Sequence, residues 1–458
     1  MSGSPVGLAE ILPMLACPRC AATPLTAADQ AAGDDGEQGD LSCPSCGARY
    51  PHLGGVACVV DEPARRIARW RENLGTLHLR AEQSIALLDD ERRLPALLPL
   101  THARLAEQIR VTRRLVAEVD DLLVGALGPP RLPTSDVPGF ESRESLHSLH
   151  RDWGWPASDE NARALACVEK VISAPLGRTL VLGAGACRLA YDLARRDPDA
   201  LFVAVDDDPL VLLAAARILA GETLSLTEVR ELPTEMALLS AVRTLRVPHT
   251  RATRVFPLLA DGLAPPFRPA AFDTVITPWF IDVVPPDLRD LLGVLRRVLL
   301  PGGRWLHFGP LLYPPQRSPA RRFSREELLE LARRAGFSIE AAVAETLPFS
   351  ASPLDGRVRL EPCLAFCARV GDLPADEPAD LPSWLVLPDL PVPDFIGRAL
   401  FFHESQGFRK VVQLVDGQRG INDIAALLDA PDGTDPGALK DAIRECLLQV
   451  HPACRPAE

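Results

Sequence analysis

The chain has 458 residues, of which 47% are hydrophobic and 24% charged, and its formal net charge is −12. These proportions exclude a disordered chain, and the length allows two to four domains. An acidic chain without a basic stripe fits a nucleic-acid backbone poorly, so we expect no nucleic-acid partner. No apolar run reaches the roughly 20 residues of a membrane span, and no signal peptide is recognisable. We therefore expect a cytoplasmic protein without a membrane anchor.

Four of the eleven cysteines form two C-x2-C pairs, with residues 21–42 between them. They are Cys17, Cys20, Cys43 and Cys46. Two such pairs can direct four thiolates at one tetrahedral point, which predicts a Zn²⁺ site. Redox chemistry is the alternative for a single pair, but the repeat favours zinc. Because four ligands leave no open position, the metal would be structural. Cys58, outside the tetrad, is expected to be a small buried hydrophobic residue.

The surroundings of these pairs, Ile11–Cys20 and Cys46–Ala57, resemble the small zinc-ribbon activator proteins that pair with methyltransferases. The resemblance covers about residues 8–62. From 63 to 139, aliphatic residues recur three and four positions apart among charged residues, with interruptions at Pro95 and Pro99. This pattern predicts a helical linker or lid.

Residues 140–370 alternate strand-like and helix-like segments, which predicts βαβ units and a mostly parallel sheet in an α/β fold. The predicted strands are Thr179–Leu182, Leu201–Val205, Phe272–Thr277 and Gly303–Phe308. The predicted helices are Asn161–Ile172, Arg188–Arg196, Pro209–Leu219 and Asp287–Leu299. An acidic, proline-rich linker over 371–382 then leads to a small domain at 383–458.

The first predicted strand is followed by Gly183 and Gly185, and the second by Asp206. Such glycines let the backbone approach a nucleotide cofactor, and an acid at the second position can bind both ribose hydroxyls. NAD, FAD and S-adenosylmethionine sites share this pattern. The neighbouring acids Asp207 and Asp208 are expected to be solvated or to cap a helix, because Pro209 follows.

Three further features favour S-adenosylmethionine. Asp261-Gly262 precedes a strand that begins Phe-Asp, where Asp261 would accept a hydrogen bond from the adenine amino group. Pro301-Gly-Gly303 joins a helix to a strand in the manner usual for methyltransferases. The chain also contains no second glycine fingerprint and no separate dehydrogenase substrate domain. We therefore expect S-adenosylmethionine as the cofactor.

Four motifs resemble those of carnosine N-methyltransferase and its relatives, over about residues 145–370. They are Arg151-Asp-Trp153, Gly183-Ala-Gly-Ala-Cys-Arg-Leu-Ala190, Phe280-Ile-Asp282 and Gly309-Pro-Leu-Leu-Tyr313. The resemblance implies a class I, Rossmann-like, S-adenosylmethionine-dependent fold and methylation of an imidazole ring nitrogen. It also implies that Arg188 helps to hold the cofactor carboxylate and that Asp282 faces the substrate.

A carboxylate suits this role, because the attacking imidazole nitrogen must be unprotonated. An acid that accepts a hydrogen bond from the other ring N–H fixes the tautomer and raises the nucleophilicity of the nitrogen. We therefore predict Asp282 as the catalytic residue. Trp279, Phe280 and Tyr313 are predicted on the substrate side, although core packing explains the first two nearly as well. His307 lies in a strand pattern and is expected to be a core residue.

The chain departs from this family at three places. Cys187 replaces the third glycine of the motif, Pro314 stands where the family has a histidine thought to grip the substrate, and Val205-Asp206-Asp207 replaces Asn-Glu-Phe. Cofactor use survives these changes, whereas carnosine becomes a less apt acceptor. A nucleophilic role for Cys187 is not expected.

The segment Arg409–Leu428 resembles the small winged-helix PqqD-like domains, with a turn at Asp416-Gly417 and a helix from Ile421. The resemblance implies a domain that binds the leader segment of a peptide substrate. A generic winged-helix or dimerisation module fits almost as well. Two other functions stay open: methylation of an unrelated small metabolite, and a non-catalytic peptide-binding adaptor. Intact Gly183, Gly185, Asp206 and Asp282 favour the enzyme.

Overall fold

The structure is a computed structural model. It describes residues 7–27, 40–134, 143–155, 159–230, 233–249, 253–283, 287–315, 317–355, 358–372, 382–395, 406–428 and 435–451. Residues 28–39, between the cysteine pairs, and most of the predicted linker over 371–382 lie outside these residues.

The N-terminal region consists of a short helix followed by small strands. They are α1 (Leu8–Ile11), a 3-10 turn (Leu12–Met14), β1 (Thr26–Ala27), β2 (Leu41–Ser42), β3 (Arg49–Tyr50), β4 (His52–Leu53) and β5 (Val56–Cys58). The first three strands form an antiparallel sheet in the order β1-β2-β3. Cys58 is fully buried at the end of β5, as the sequence predicted.

The predicted helical segment is a hairpin of two long helices, α2 (Pro63–Glu91) and α3 (Pro99–Leu127). Each helix begins with a proline. The N–H groups of a first helical turn have no acceptor within the helix, so the lack of an N–H in proline breaks no helical hydrogen bond there. Pro99 therefore starts a helix, and Pro95 lies in the connection between the two. Trp70, Leu74 and Leu123 pack the hairpin into the core of the central domain.

The central domain alternates helices and strands. Its elements are α4 (Arg143–Leu149), a π-helical turn (His150–Gly154), α5 (Glu160–Glu169), β6 (Arg178–Leu182), α6 (Arg188–Arg196), β7 (Leu201–Asp206), α7 (Pro209–Leu219), β8 (Leu224–Val229), a 3-10 turn (Met236–Leu238), β9 (Ser240–Leu245), β10 (Val255–Leu259), β11 (Phe272–Pro278), α8 (Leu288–Val298), β12 (Leu299–Gly309), a 3-10 turn (Pro319–Arg321), α9 (Arg325–Arg334), β13 (Phe337–Phe349) and β14 (Arg359–Val370). The four predicted strands and four predicted helices are confirmed, although β12 begins earlier than predicted and α5 ends earlier.

The described strands form a nine-stranded sheet in the order β13-β14-β12-β11-β6-β7-β10-β5-β4. Strands β10, β7, β6, β11 and β12 are parallel, while β14 is antiparallel to β12. The chain moves outward from β6 through β7 and β10, and later from β11 in the opposite direction. The crevice at the carboxyl ends of β6 and β11 is therefore the topological switch point, where open α/β sheets bind ligands. This arrangement confirms the predicted Rossmann-like α/β fold with a mostly parallel sheet.

The N-terminal strands extend this sheet. Strand β5 lies parallel to β10, with Ala57 opposite Leu258 and Cys58 opposite Leu259. One core cluster joins the sheet to the helical hairpin and to α5, α6 and α7, and the other joins the opposite face to the N-terminal region, α8 and α9. Strands β8 and β9 form a separate antiparallel pair, which the sequence did not indicate.

The described part of the C-terminal domain consists of α10 (Ser383–Val386), α11 (Gln406–Leu414), α12 (Ile421–Leu427) and α13 (Pro436–Val450). These helices have a core cluster of their own. The predicted turn is present: Asp416 accepts hydrogen bonds from two following N–H groups, and Gly417 has a φ of +76°. Helix α12 begins at Ile421, as predicted. The PqqD-like, winged-helix assignment stays a prediction.

Within the described ranges, we find no helix with the length and apolar character that a membrane span requires.

Candidate functional site

The loop after β6 has the backbone conformation that a cofactor loop needs. Gly183 and Gly185 have φ values of +71° and +50°, in the left-handed region that favours glycine. A Cβ atom on Gly183 would lie 2.5 Å from the ring of Phe280. One on Gly185 would meet nothing within 4 Å. The backbone at Gly185 therefore faces open space, as required for close approach of a ligand.

Cys187 adopts the same left-handed conformation at the start of α6, with a φ of +62°. This is the position that a glycine occupies in the family pattern. The side chain is fully buried, and burial raises the pKa of the thiol well above its usual range. A buried, protonated thiol is a poor nucleophile, so the structure supports the expectation that Cys187 has no catalytic role.

Asp206, at the end of β7, is hydrogen-bonded to the glycine loop that follows β6. Its Oδ2 accepts a hydrogen bond from the Gly185 N–H at 2.7 Å, and its Oδ1 accepts one from the Asp208 N–H at 3.0 Å. Burial, reinforced by the charges of Asp207 and Asp208, raises the pKa of Asp206 to about 7. Each carboxylate oxygen keeps a lone pair for a further donor, such as a ribose hydroxyl.

The two neighbouring acids divide as predicted. Asp208 caps α7 by accepting a hydrogen bond from the Leu210 N–H at 2.8 Å. Asp207 is exposed and lies 3.8 Å from Arg66 of α2. The helical hairpin of α2 and α3 thus reaches the rim of the predicted cofactor site.

Asp261 and Gly262 follow β10, at the same carboxyl edge of the sheet as Asp206. The Asp261 carboxylate accepts a hydrogen bond from the Leu263 N–H at 2.8 Å. A Cβ atom on Gly262 would lie 2.7 Å from the Phe280 ring. Because the same ring also covers Gly183, Phe280 lies between the two predicted cofactor-binding loops.

Arg188 is held by its own surroundings. Its Nε donates to Asp192 at 2.8 Å, its Nη1 donates to the Asp152 carbonyl, and its guanidinium lies 5.4 Å from the centre of the Trp153 ring. The structure places Arg188 beside the glycine loop at the start of α6. Contact with a cofactor carboxylate stays a prediction.

Trp279, directly after β11, has a strained backbone. Its φ of +43° is unusual for a bulky residue, and such strain concentrates at functional sites. The conformation is held by a hydrogen bond from the Trp279 N–H to the Phe308 carbonyl at 2.7 Å. Gly309 lies against it so closely that a Cβ atom there would be 3.0 Å from the Trp279 backbone. With this backbone conformation at Trp279, the chain turns after β11 toward the switch point.

Asp282 follows in this turn and is 5% exposed. Its Oδ2 accepts a hydrogen bond from the Leu312 N–H at 3.2 Å, while its Oδ1 has no hydrogen-bond partner among the described residues. Burial raises the pKa of Asp282, while the nearby N–H groups of Asp282 and Leu312 and, less strongly, the charge of Arg317 oppose this rise. Burial also raises the pKa of the neighbouring Tyr313 to about 12, with a smaller contribution from Asp282. The two predicted substrate-side motifs therefore meet.

Two residues of this region carry roles that the sequence did not indicate. Arg151 lies with its guanidinium 5.1 Å from the centre of the Trp279 ring. Glu361 of β14 is buried beside Trp279, and the charge of Asp282 contributes to raising the pKa of Glu361. Arg151 belongs to the Arg151-Asp-Trp153 motif, but Glu361 lies in a strand that the sequence did not predict, so no local pattern marked it.

His307 is a core residue, as expected. Its Nδ1 is 2.9 Å from the Thr277 carbonyl, between the paired strands β11 and β12. Burial lowers the pKa of the imidazole to about 4, so the ring is neutral at physiological pH.

The C-terminal domain contacts the substrate side through buried charges. Arg444 of α13 is 3% exposed and lies 3.2 Å from Asp287, which caps α8. Arg321, in the segment after β12, donates to Asp441 of α13 at 2.6 Å. We call these ion pairs the α13 network. They attach α13 to both segments that carry Asp282 and Tyr313.

The four predicted metal ligands converge. Their sulfur atoms all lie within 4.8 Å of one another, with 3.6 Å between Cys17 and Cys46 and 3.5 Å between Cys20 and Cys43. Four thiolates at the usual Zn–S distance stand about 3.8 Å apart, so the cluster fits a tetrahedral ion. The Tyr50 hydroxyl lies 2.9 Å from the Cys17 sulfur and could orient this ligand.

The family model "Carnosine N-methyltransferase" matches residues 245–348. Carnosine N-methyltransferase of Dictyostelium discoideum is 28% identical over 81 residues, which are 16% of this chain and 17% of that protein. The chain thus spans about a sixth of the length of this relative.

Solved structures with a similar fold include phosphoethanolamine N-methyltransferase 2 of Haemonchus contortus in complex with S-adenosyl-L-methionine. It is 16% identical, with 51% of this chain and 59% of that chain covered and a TM-score of 0.35. Another is a SAM-dependent methyltransferase of Methanosarcina mazei, 14% identical, with 44% and 96% covered and a TM-score of 0.31. The family match includes Asp261, Phe280, Asp282 and Tyr313 but begins after the glycine loop.

Proposed function

We propose that the chain is an S-adenosylmethionine-dependent N-methyltransferase that acts on an imidazole nitrogen of a histidine-containing small molecule or peptide. One observation carries the proposal. Asp282 is buried at the switch point with one carboxylate oxygen unpartnered among the described residues, next to the loops predicted to hold the cofactor. The match of residues 245–348 to the carnosine N-methyltransferase family supports the same chemistry.

The cofactor half of the site consists of backbone and carboxylates. Gly185 leaves room for the methionine part, Asp206 would accept from the ribose hydroxyls, and Asp261 from the adenine amino group. When bound, S-adenosylmethionine supplies a methyl group on a sulfonium, which a nucleophile attacks in line. The Phe280 ring beside Gly183 and Gly262 would exclude water from this side.

Asp282 would act on the acceptor. Its free oxygen can accept the ring N–H, which leaves the lone pair of the other nitrogen available for attack. As the nitrogen gains the methyl group, the ring becomes positively charged. The nearby carboxylate stabilises this charge in a water-poor site, where electrostatic effects are strong. The N–H proton stays between the ring and Asp282 until product release.

Zinc bound by the four N-terminal cysteines would be structural. The four sulfurs fit a closed tetrahedral ion, and the cysteines adjoin the separate sheet β1-β2-β3, not the strands that carry Asp206 or Asp282. The role of the C-terminal domain in binding a leader peptide remains part of the proposal as an alternative to a small-molecule acceptor.

The proposal is tested by incubating the protein with methyl-labelled S-adenosylmethionine and a panel of imidazole, amine and hydroxyl compounds. We expect label on a ring nitrogen of imidazole compounds, located by NMR of the product. Binding of the cofactor with transfer only to another class of acceptor would contradict the imidazole assignment. Absence of cofactor binding in calorimetry would favour the non-catalytic adaptor.

A further inference from the structure

Glu361 provides a second buried carboxylate on the substrate side. It is 2% exposed. Its Oε1 lies 2.6 Å from a nitrogen of Arg359, while its Oε2 is buried without a hydrogen-bond partner among the described residues. The Arg359 side chain is 64% exposed, so water screens its charge and weakens the pair. The Trp279 indole N–H lies near enough to lower the pKa of Glu361 without completing a regular hydrogen bond, so the charge of this carboxylate is compensated only in part.

The strand register places Glu361 at the mouth of the crevice. Leu364 of β14 pairs with Gly309, the last residue of β12. Because β14 is antiparallel to β12, residues 359–363 extend past the carboxyl end of β12. This is the edge at which Trp279 and Asp282 leave β11. Burial raises the pKa of Glu361, with opposing effects from Arg359 and Trp279 and a further rise from Asp282.

The surroundings of Glu361 are strongly acidic. Four carboxylates in this part of the site are buried, each with at most 5% exposure: Asp152, Glu160, Asp282 and Glu361. A half-buried cation, Arg151, lies among them, 2.7 Å from Asp152 and 3.8 Å from Glu160. Asp152 pairs with Arg151, and Glu160 accepts hydrogen bonds from the Ser350 and Ala351 N–H groups, so Asp282 and Glu361 are the two members with the least compensated charge. A buried carboxylate with little compensation is costly, so a site that retains two of them is suited to a cationic ligand.

We propose that Glu361 binds a protonated amino group of the acceptor while Asp282 holds its imidazole N–H. This inference rests on the proposed function and narrows its substrate class to imidazoles that carry an ammonium group. Glu361 is then a specificity-determining residue. It distinguishes a cationic from a neutral side chain on the same ring.

The test uses two probes of nearly equal shape, histamine and 4-ethylimidazole, which differ by the amino group. Each is titrated by calorimetry into the full chain loaded with S-adenosylhomocysteine at about pH 8, where the ring is neutral and the amine protonated. We expect histamine to bind about 10-fold tighter or more, as for a hydrogen bond between charged groups. In Glu361→Gln this preference should fall to within about 2-fold.

Two controls separate recognition from structure. Glu345→Gln removes a carboxylate of the neighbouring β13 that pairs with Lys170, and it should leave the preference unchanged. S-adenosylhomocysteine affinity should be equal in the parent protein and Glu361→Gln. If Glu361 served only its pair with Arg359, the substitution would lower the melting temperature and leave the preference intact.

The inference is overturned if the parent protein binds both probes equally, if Glu361→Gln keeps the preference, or if Glu361→Gln weakens cofactor binding instead. The proposed function fails separately. In that case histamine binds in a Glu361-dependent way, but no methyl group reaches either ring nitrogen when S-adenosylmethionine is supplied.

Discussion

The two halves of the cleft are supported by opposite ends of the chain. The cofactor half lies at the ends of β6, β7 and β10, where the N-terminal strands continue the sheet through main-chain hydrogen bonds and Arg66 reaches Asp207. The acceptor half lies at the ends of β11 and β12, where α13 is attached by buried ion pairs. Main-chain hydrogen bonds therefore hold the cofactor half, and they do not depend on side-chain charge. The acceptor half is held by ion pairs, so substitution of a charged side chain is expected to alter it.

Loss of Asp282 should have the largest effect, and only on the acceptor half. We expect Asp282→Ala to lower kcat by about 10²- to 10⁴-fold, because it removes the group that orients the ring and stabilises its charge. The dissociation constant for S-adenosylhomocysteine should stay within about 2-fold of the parent value, since no predicted cofactor contact is lost. Turnover equal to that of the parent would remove Asp282 from the reaction.

Loss of Asp206 should act on the cofactor half. Asp206→Ala is expected to weaken S-adenosylhomocysteine binding by about 10- to 100-fold, the effect of losing hydrogen bonds to a charged group. Asp207→Ala is the matched control, because this exposed neighbour should contribute little. Calorimetry measures both, and equal weakening in the two variants would contradict the assignment of Asp206.

The same half should respond to pH. Burial raises the pKa of Asp206 to about 7, and the ionised form is the one that accepts from ribose hydroxyls. Cofactor affinity should therefore be full above about pH 8 and fall as the pH decreases through 7. Asp206→Asn should flatten this dependence. A parent protein whose affinity is constant from pH 6 to 8, by about 2-fold or less, would contradict the mechanism.

Metal removal tests the support of the cofactor half. Cys17→Ser and Cys43→Ser are each expected to abolish zinc content in elemental analysis, because the three remaining thiolates leave a structural tetrahedral site incomplete. We expect S-adenosylhomocysteine binding to weaken about 3- to 10-fold through the disturbed edge beside β10. Cys58→Ser, outside the tetrad, should retain the metal. Full zinc content in both tetrad variants would refute the site.

The smallest expected effect concerns the α13 network. Arg321→Ala breaks the ion pair with Asp441 and should raise the Michaelis constant for an imidazole acceptor such as histamine about 3- to 10-fold, because the segment carrying Tyr313 is less well held. Cofactor affinity should not change. Arg325→Ala removes a nearby exposed arginine and should leave both constants as they are. Equal effects on the two ligands would break the proposed division of the cleft.

The sequence predicted the geometry of the loops after β6 and β7 better than the surroundings of Asp282, for a physical reason. Positive φ at Gly183 and Gly185 and an acid after a buried strand are local features, and each leaves a mark within a few residues. The acceptor half joins Trp279 and Asp282 with Glu361 and with Arg444, which are far apart in the chain. Strands β13 and β14 bring Glu361 to the cleft, and neither was predicted. Only tertiary structure could reveal this pairing.

Cys187 shows that a sequence motif does not reveal which residues a loop conformation tolerates. Its position requires left-handed backbone, and a glycine was expected there from the family. The structure keeps the conformation without the glycine. The substitution was visible in the sequence, but its compatibility with the loop was not.

The N-terminal strands β4 and β5 have a consequence for solubility as well as for binding. Without them, β10 would be the last strand of the sheet and would present a row of unpaired N–H and C=O groups to other molecules. Short added strands are one of the ways in which proteins blunt such an edge. Loss of the nearby metal would therefore expose a template for intermolecular strand pairing. If the four cysteines bind zinc as proposed, we expect aggregation to be the first sign of metal depletion.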